Sequence, residues 1–528
     1  MIEDKYAGRI ALGVDVGTST CQAYVHVGDT RRMLWVDGAA GQQEYYPSSI
    51  LELPGEGGRL YGSEALLNAQ QMKDAVLHQS FKAFMKADPP LERTYEIAEA
   101  AELFQDMALK FLEQLIPELQ RMARSWSGKT RLDVSFTLPG GWSQEPELTQ
   151  IYHRVIYDLE RALRGKLQVA GFDVFAYLVE EPVAALLGVE SMYLPLPVGE
   201  PILVVDAGGG TLDAAVCVAE RDEARGTLRY TIPFARSIGV AGETLFEEFV
   251  KALKRAGATT PELPRQWRKD ARLRAALRKL FQEYSHARVE TYTDELSNGT
   301  ERWEVSFSPA EINAAVEDNR HFRKIGRFIG GLLAEYNEIT GESREAWGAS
   351  YLVGGLGRYP LFKNAVVGVL PACAPAPNPQ EIIAMGAVSH ARLGGLQIHQ
   401  RACPYHLGQQ VQDLDAGELV WDLLVRQGEL ISSSAAGERT YIGESHVQHD
   451  SEGFKAAFGW TRSGALSDTV LIIAEHIISF RAPSGDLQPL KAGDPLQTRV
   501  RFDDKLQIEI EVIHVPTRLR WSTSNLRW

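Results

Sequence analysis

Cysteine is scarce: four residues in 528, Cys21, Cys217, Cys373 and Cys403, far apart and in no C-x-x-C spacing. That argues against a structural zinc and against a disulfide scaffold, and fits a reducing compartment. Long apolar runs are missing too. Nowhere do about eighteen uncharged apolar residues stand together, the length a membrane helix needs, and the opening MIEDKYAGRIALGVDVG is soon interrupted by glycine and aspartate. Neither a membrane span nor a secretory leader is expected, and the expectation is a cytoplasmic protein without a membrane partner. Basic runs are the third absence. Acidic side chains number 69 against 55 basic, a net charge of -14, and no aromatic-basic stripe would track a nucleic-acid backbone. Nucleic acid is therefore not an expected partner. Low-complexity tracts and short-period repeats are absent as well, and the triplet at Asn298 that matches a glycosylation acceptor reads as a turn.

What is present is ordinary globular material, 45% hydrophobic and 23% charged, enough for two or three domains. RIALGVDVGTSTCQAYVHVGD and RLDVSFTLP read as strands. TYEIAEAAELFQDMALKFLEQLIPELQRMARSW and QIYHRVIYDLERALRGKL carry apolar residues at three- and four-residue spacing and read as helices. Strand and helix in alternation predict α/β layering with parallel pairing. VFAYLV and EEPVAALLGVE continue the alternation, a hairpin is predicted around VETYTDELSNGTERWEVSF, and YLVGGLGRYPLFKNAVVGVL reads as strand, glycine turn and helix. Near residue 393 the helical period stops. GGLQIHQRACPYHLG has the composition of a connection, and short alternating runs follow, among them DTVLIIAEHIISF and LQIEIEVIHV. The expected organisation is an α/β unit over 1–393, a linker over 394–404 and an all-β sandwich over 405–528.

The stretch ILVVDAGGGTLDAAVCV, residues 202 to 218, runs a buried strand into three glycines between Asp206 and Asp213. Three glycines together mean that the backbone makes a turn, or approaches something, that a Cβ would prevent. GVDVGTST echoes it, with Asp15 at the end of a strand followed by Gly17, Thr18 and Ser19. Two such hairpins facing each other could hold a triphosphate, with turn amides donating to phosphate oxygens. Asp15 and Asp206 would then supply negative charge for a hydrated Mg²⁺. Taken singly, each motif is equally well a tight hairpin in a core sheet.

Across residues 11 to 391 five segments occur in order: DVGTST, EEPVAALLG, DAGGGTLD, VGGLGRYP and EIIAMGAVSHA. This series resembles the phosphate, connector and adenosine segments of the actin-like ATPase superfamily, whose fold is two RNase H-like halves. Within it the chain is most similar to the heat-shock protein 70 class of chaperones, of DnaK type: DVSFTLPGGWSQ resembles its switch-proline strand and SIGVAGETLFEEFV its Gly-Gly-Glu loop, with Gly242. The resemblance implies ATP or ADP with Mg²⁺ as ligands. It implies that Gly17, Thr18 and Ser19, with Gly208, Gly209, Gly210 and Thr211, contact phosphates. Lys82 would stabilise charge on the transferring phosphate, though a solvated helix lysine is the alternative. Glu181 would bind metal water and orient the attacking water, Asp213 would be the second acidic residue of the metal site, and Pro139 would relay nucleotide state. The alternative for Glu181 beside Pro182 is helix capping.

Gly354, Gly355, Arg358 and Pro360 agree with the adenosine loop, and Arg358 would lie over the adenine face. Leu356 stands where the family has serine, and LRKLFQEYS offers Arg278, Lys279, Glu283 and Ser285 without a matching register. The β tail resembles the family's substrate-binding sandwich, which implies unfolded or extended polypeptide as a partner, with J-domain and nucleotide-exchange proteins as further ones. The linker keeps only Leu396 and Ile398 as apolar anchors, and the chain ends at Trp528, before the length of a helical lid. Two other classes share the core: an actin-like ATPase with a β module docking one folded partner, and a sugar or acid kinase.

Overall fold

The computed structural model describes residues 9–526 apart from 39–40, 56, 70, 73–74, 86–94, 124–129, 139–145, 169–171, 193–195, 223–226, 266, 285–288, 319, 377, 394–397, 404–405, 413–418, 427–428, 433–439, 462–470 and 503–507. The chain opens with β1 (Arg9–Val16), β2 (Thr20–Val27) and β3 (Thr30–Met33), antiparallel in turn. After α1 (Ile97–Ala123) come β4 (Thr130–Leu138), α2 (Pro146–Gln168) and β5 (Phe172–Glu180). The sheet runs β5-β4-β1-β2-β3, with β5, β4 and β1 parallel. In α1 the buried residues include Phe104, Met107, Ala108, Phe111, Leu112 and Leu115, the spacing that lays one apolar stripe on a sheet.

α3 (Glu181–Ser191) leads into a second unit: β6 (Pro201–Ala207), β7 (Leu212–Asp222), β8 (Thr227–Ile238), α4 (Gly242–Arg255) and α5 (Ala271–Tyr284). The predicted hairpin follows as β9 (Tyr292–Ser297) and β10 (Arg302–Phe307), then α6 (Arg320–Thr340), β11 (Ala349–Val353), α7 (Pro360–Val369), β12 (Ala374–Pro375) and α8 (Ile382–Arg392). Strands β12-β11-β6-β7-β8 repeat the order of the first sheet, with the same parallel and antiparallel senses. The echo between GVDVGTST and VVDAGGGTLD is thus one hairpin, β1–β2 and β6–β7, set at the same place in two similar half-sheets.

The two units meet through α3 and α8, which cross at backbone distance. A Cβ on Gly386 would lie 1.5 Å from the carbonyl oxygen of Ala184, and one on Gly188 2.2 Å from that of Ile382. Gly13 in β1 lies under α8 in the same way: a Cβ there would lie 2.2 Å from the amide nitrogen of Val388. Helices on both faces explain why β1 is buried at every position from Ile10 to Val16 and does not alternate. Among the described residues no helix is long and apolar enough to cross a membrane.

The tail forms β13 (Ile398–Ala402), β14 (His406–Gln412), β15 (Leu419–Val425), β16 (Leu430–Ser432), β17 (Tyr441–His446), β18 (Phe454–Thr461), β19 (Leu471–Ile478), β20 (Pro495–Phe502), β21 (Ile508–His514) and β22 (Leu519–Leu526). Two antiparallel sheets, β15-β14-β18-β19 and β17-β20-β21-β22, share a core of Leu407, Val425, Phe458, Ile478, Val500 and Ile510. Burial alternates along β20, one side to the core and one to water.

The stretch 394–404, expected as a connection, contains a strand. β13 pairs parallel with β8 at the edge of the second sheet, and β16 pairs antiparallel with β13. That sheet therefore runs on through seven strands into the tail. Composition concealed this, because an added edge strand is held by main-chain hydrogen bonds that leave little mark on side chains. Of the residues singled out by sequence, Pro139, Ser285 and Leu396 and the side chains of Arg358 and Ile398 lie outside the described residues.

Candidate functional site

The two Asp-x-Gly turns are built alike. The amide of Gly17 donates to the Thr20 carbonyl and that of Gly208 to the Thr211 carbonyl, both at 3.0 Å. Asp15 and Asp206 each occupy the last position but one of their strands. The turns touch: a Cβ on Gly209 would lie 2.6 Å from Ser19 Oγ, and one on Gly210 2.7 Å from Thr18 Oγ1. The glycines are needed because each turn occupies the space a side chain of the other would fill. From the far side the amides of Gly242 and Glu243, opening α4, donate to the carbonyls of Gly208 and Gly209 at 3.1 and 2.7 Å.

Between them lies a cleft of about 510 Å³, lined by Asp15, Gly17, Thr18, Ser19, Lys82, Glu181, Asp206, Gly208, Gly209, Thr211, Gly242, Gly354 and Gly355. Residues separated by more than three hundred positions in sequence therefore meet in one place. Gly210 stands behind the wall against Thr18, and Asp213 is the cross-strand partner of Asp206. Lys82 sits in a tight helical turn, Phe81–Phe84, entered through Ser80 at φ 57°, a left-handed backbone that costs serine some strain. It is only 4% exposed, and its Nζ donates to the Val16 carbonyl at 2.6 Å and to Glu181 Oε1 at 2.7 Å. It is not a solvated surface lysine. Glu181 opens α3 beside Pro182, after Glu180 as N-cap, so the helix start fixes where its carboxylate stands.

Negative charge is in excess here. Glu181, Asp206 and Asp213 bring carboxylate oxygens within 4.8 Å of one another. Burial holds Asp206 well above the usual carboxylate range, and Glu181, Asp213 and Asp15 push the same way. Burial also lifts Glu181 to about 7, against the pull of Lys82. Asp15 is raised by burial despite Lys82 and a 2.8 Å hydrogen bond from Thr137 Oγ1. Burial opposes the Lys82 charge, yet Glu181 and Asp15 outweigh it and its pKa rises. Asp213 accepts from the Thr211 hydroxyl. One ammonium faces four carboxylates, an arrangement that calls for a cation. The buried Oδ1 atoms of Asp206 and Asp213 accept no hydrogen bond from any described residue. Such orphaned oxygens cost about 1–3 kcal/mol each unless an ion or water reaches them. The donor set, oxygen only and carboxylate-rich, would suit a hard divalent cation, with Glu181, Asp206 and Asp213 close enough together to hold it.

The cleft is also lined by Phe246 from α4, Arg278 and Phe281 from α5, and Leu356, Tyr359, Gln380 and Ile383. Glu243 is buried beneath it. Burial alone would raise its carboxyl, but Arg278 at 2.8 Å and Arg274 at 3.2 Å outweigh burial and hold it down to about 2. The structure thus brings Arg278 to the cleft, whereas Lys279 and Glu283 pair with each other at 3.6 Å on the exposed side of α5. Glu243, Phe246, Phe281, Tyr359 and Gln380 were not singled out by sequence. For Glu243 a signal existed, since Arg274 and Arg278 stand four apart on one helix face, awaiting an acidic partner.

A second hollow, about 530 Å³, lies in the sandwich where β14, β17 and β18 meet the loop 447–453, lined among others by Gln410, Glu444, His446, Phe454 and Ala457. Gln409 forms its polar floor, accepting from Thr498 Oγ1 at 2.6 Å and donating to Asp422 at 2.8 Å. No family model matches the chain, and no curated protein matches its sequence.

Proposed function

We propose that the chain is an ATP-binding, slowly ATP-hydrolysing protein of heat-shock protein 70 type, in which the nucleotide in the cleft controls the binding of extended polypeptide by the β sandwich. The observation that carries this reading is the pair of touching Asp-x-Gly turns with Lys82 and Glu181 buried between them. Thr18, Ser19 and turn amides other than those of Gly17 and Gly208 donate to phosphate oxygens, and Lys82 presents an ammonium to the phosphate being transferred. Magnesium, when bound, offsets phosphate charge. Glu181, oriented by Lys82, accepts a hydrogen bond from the attacking water and aligns it. Hydrolysis then acts as a conformational clock, and β13, bonded to β8 on one side and β16 on the other, supplies a main-chain path toward the sandwich.

One observation favours a second reading. The continuous sheet through β8, β13 and β16 would also suit a tail fixed in place as a docking module for one folded partner. A sugar or acid kinase would need a carboxylate base at a second small-molecule subsite. Here Asp15, Glu181, Asp206 and Asp213 crowd the phosphate end, and Glu243 is held by arginines. Calorimetry tests the proposal: Mg-ATP gives saturable binding, and Asp206→Asn weakens it by about tenfold or more. No saturable binding to the wild-type chain contradicts it.

A further inference from the structure

Resting on the nucleotide reading of the cleft, we infer that Gln22 is a further catalytic residue, whose side-chain amide fixes the attacking water against the terminal phosphate. Gln22 lies in β2 directly across from Asp15 and lines the same cleft as Asp15, Lys82 and Glu181. Residues directly opposite on neighbouring antiparallel strands project from one face of the sheet, so Gln22 and Asp15 stand side by side. Gln22 is 2% exposed, and neither its Nε2 nor its Oε1 has a hydrogen-bond partner among the described residues. A buried amide with donor and acceptor both free destabilises the fold that contains it. A ligand that brings an acceptor and a donor to it removes that penalty.

The repeated hairpins indicate what that ligand is. Gln22 is to Asp15 what Asp213 is to Asp206, the directly opposed residue on the second strand of its hairpin. The β6–β7 hairpin thus carries two carboxylates and, with Glu181, gathers their oxygens within 4.8 Å of one another, whereas β1–β2 carries one carboxylate and a neutral amide. A cation is drawn to the first. A phosphate oxygen, repelled by carboxylates, meets an N–H donor at the second. In hydrolysis the water oxygen bonds to the terminal phosphorus as the bond from that phosphorus to the bridging oxygen breaks. ADP leaves with the electron pair, one water proton stays on the released phosphate and the other passes to solvent. A water held only by Glu181 still turns about that one hydrogen bond. With Gln22 Oε1 accepting from its other proton, and Nε2 donating to a phosphate oxygen, the lone pair is aimed at phosphorus. The amide itself gains and loses no proton.

Two variants of the full chain, Gln22→Leu and Gln22→Met, keep most of the side chain's bulk and remove its amide. Single-turnover hydrolysis, calorimetry with Mg-ATP and urea unfolding of the nucleotide-free chain test them together. The expected hydrolysis rate is about 10²-fold lower while the dissociation constant for ATP changes by less than about fivefold. The expected unfolding midpoint equals or exceeds that of the wild type, because an apolar side chain leaves no buried polar group unpaired. A glutamine that serves only the fold, through a buried structural water, gives the reverse. A lower midpoint in both variants therefore overturns the inference, as does a hydrolysis rate within about threefold of the wild type in either, or an ATP affinity lost as fully as the rate. In those cases the wild-type chain still binds and hydrolyses Mg-ATP, and the nucleotide reading stands. A wild-type chain that binds Mg-ATP without hydrolysing it removes this inference and leaves binding, and one that binds no Mg-ATP removes both.

Discussion

Lys82 and Glu181 form a buried ion pair whose charges are costly to desolvate, so each is worth keeping only with a partner present. If Lys82 faces the transferring phosphate, its charge acts chiefly on the transition state. Lys82→Ala is predicted to lower kcat by about 10²–10³-fold while changing the ATP dissociation constant by less than about fivefold. Single-turnover hydrolysis beside equilibrium binding checks this, and equal losses in both would contradict it. His390 makes a separate prediction. It is buried in α8 with Nδ1 2.9 Å from Ser135 Oγ, and burial pushes its pKa down to about 4. The unfolded chain protonates this imidazole near its ordinary value, so the stability it contributes is present above pH ~6.5 and lost as pH falls toward 4. Unfolding in urea should show about 2 kcal/mol less stability at pH 5 than at pH 7 from this group alone. A His390→Gln variant should lose that share of the pH dependence, and an unchanged slope would contradict the assignment.

At the scale of elements, the crossing of α3 and α8 joins the two half-sheets, and its closeness makes a sharp prediction. Gly386→Ala should cost about 3 kcal/mol or more, because the new methyl meets the Ala184 carbonyl and neither backbone can yield. Gly368→Ala, on α7 with nothing within 4 Å of its Cβ, should be neutral or stabilise by up to about 1 kcal/mol. Denaturant midpoints of the two variants test the contrast, and similar values would contradict it. The same elements show what the sequence made legible. Strand and helix alternation, the β9–β10 hairpin and the alternating tail strands announce themselves through period. The glycines of EEPVAALLG and IIAMGAVSHA could be recognised as a pattern, but their cause, two backbones in contact, exists only in three dimensions. Strand β13 was missed because main-chain pairing carries its hold. At the site, Asp15 and Asp206 could be found because an Asp-x-Gly turn is local in sequence, and Lys82 and Glu181 were singled out only through the resemblance, whereas Phe246, Phe281 and Tyr359 gather from separate elements and look like any core aromatics in sequence.

For the whole molecule, the proposed function depends on the cleft between the two half-sheets influencing the hollow in the sandwich. A ligand can shift such a molecule only through its different affinity for two arrangements, and the sheet that runs from β12 to β16 spans both parts. The repeated half-sheets place the two Asp-x-Gly turns against each other, so closing them on a nucleotide would move the second sheet, and β13 with it, relative to the first. Stopped-flow measurement of a fluorescent extended apolar peptide leaving the full chain, with and without Mg-ATP, tests this most directly. The account predicts that Mg-ATP changes the dissociation rate by about tenfold or more, since affinity differences lie mostly in off-rates, and that Asp206→Asn abolishes the change. An identical rate at saturating Mg-ATP, with nucleotide binding confirmed in the same sample, would contradict it.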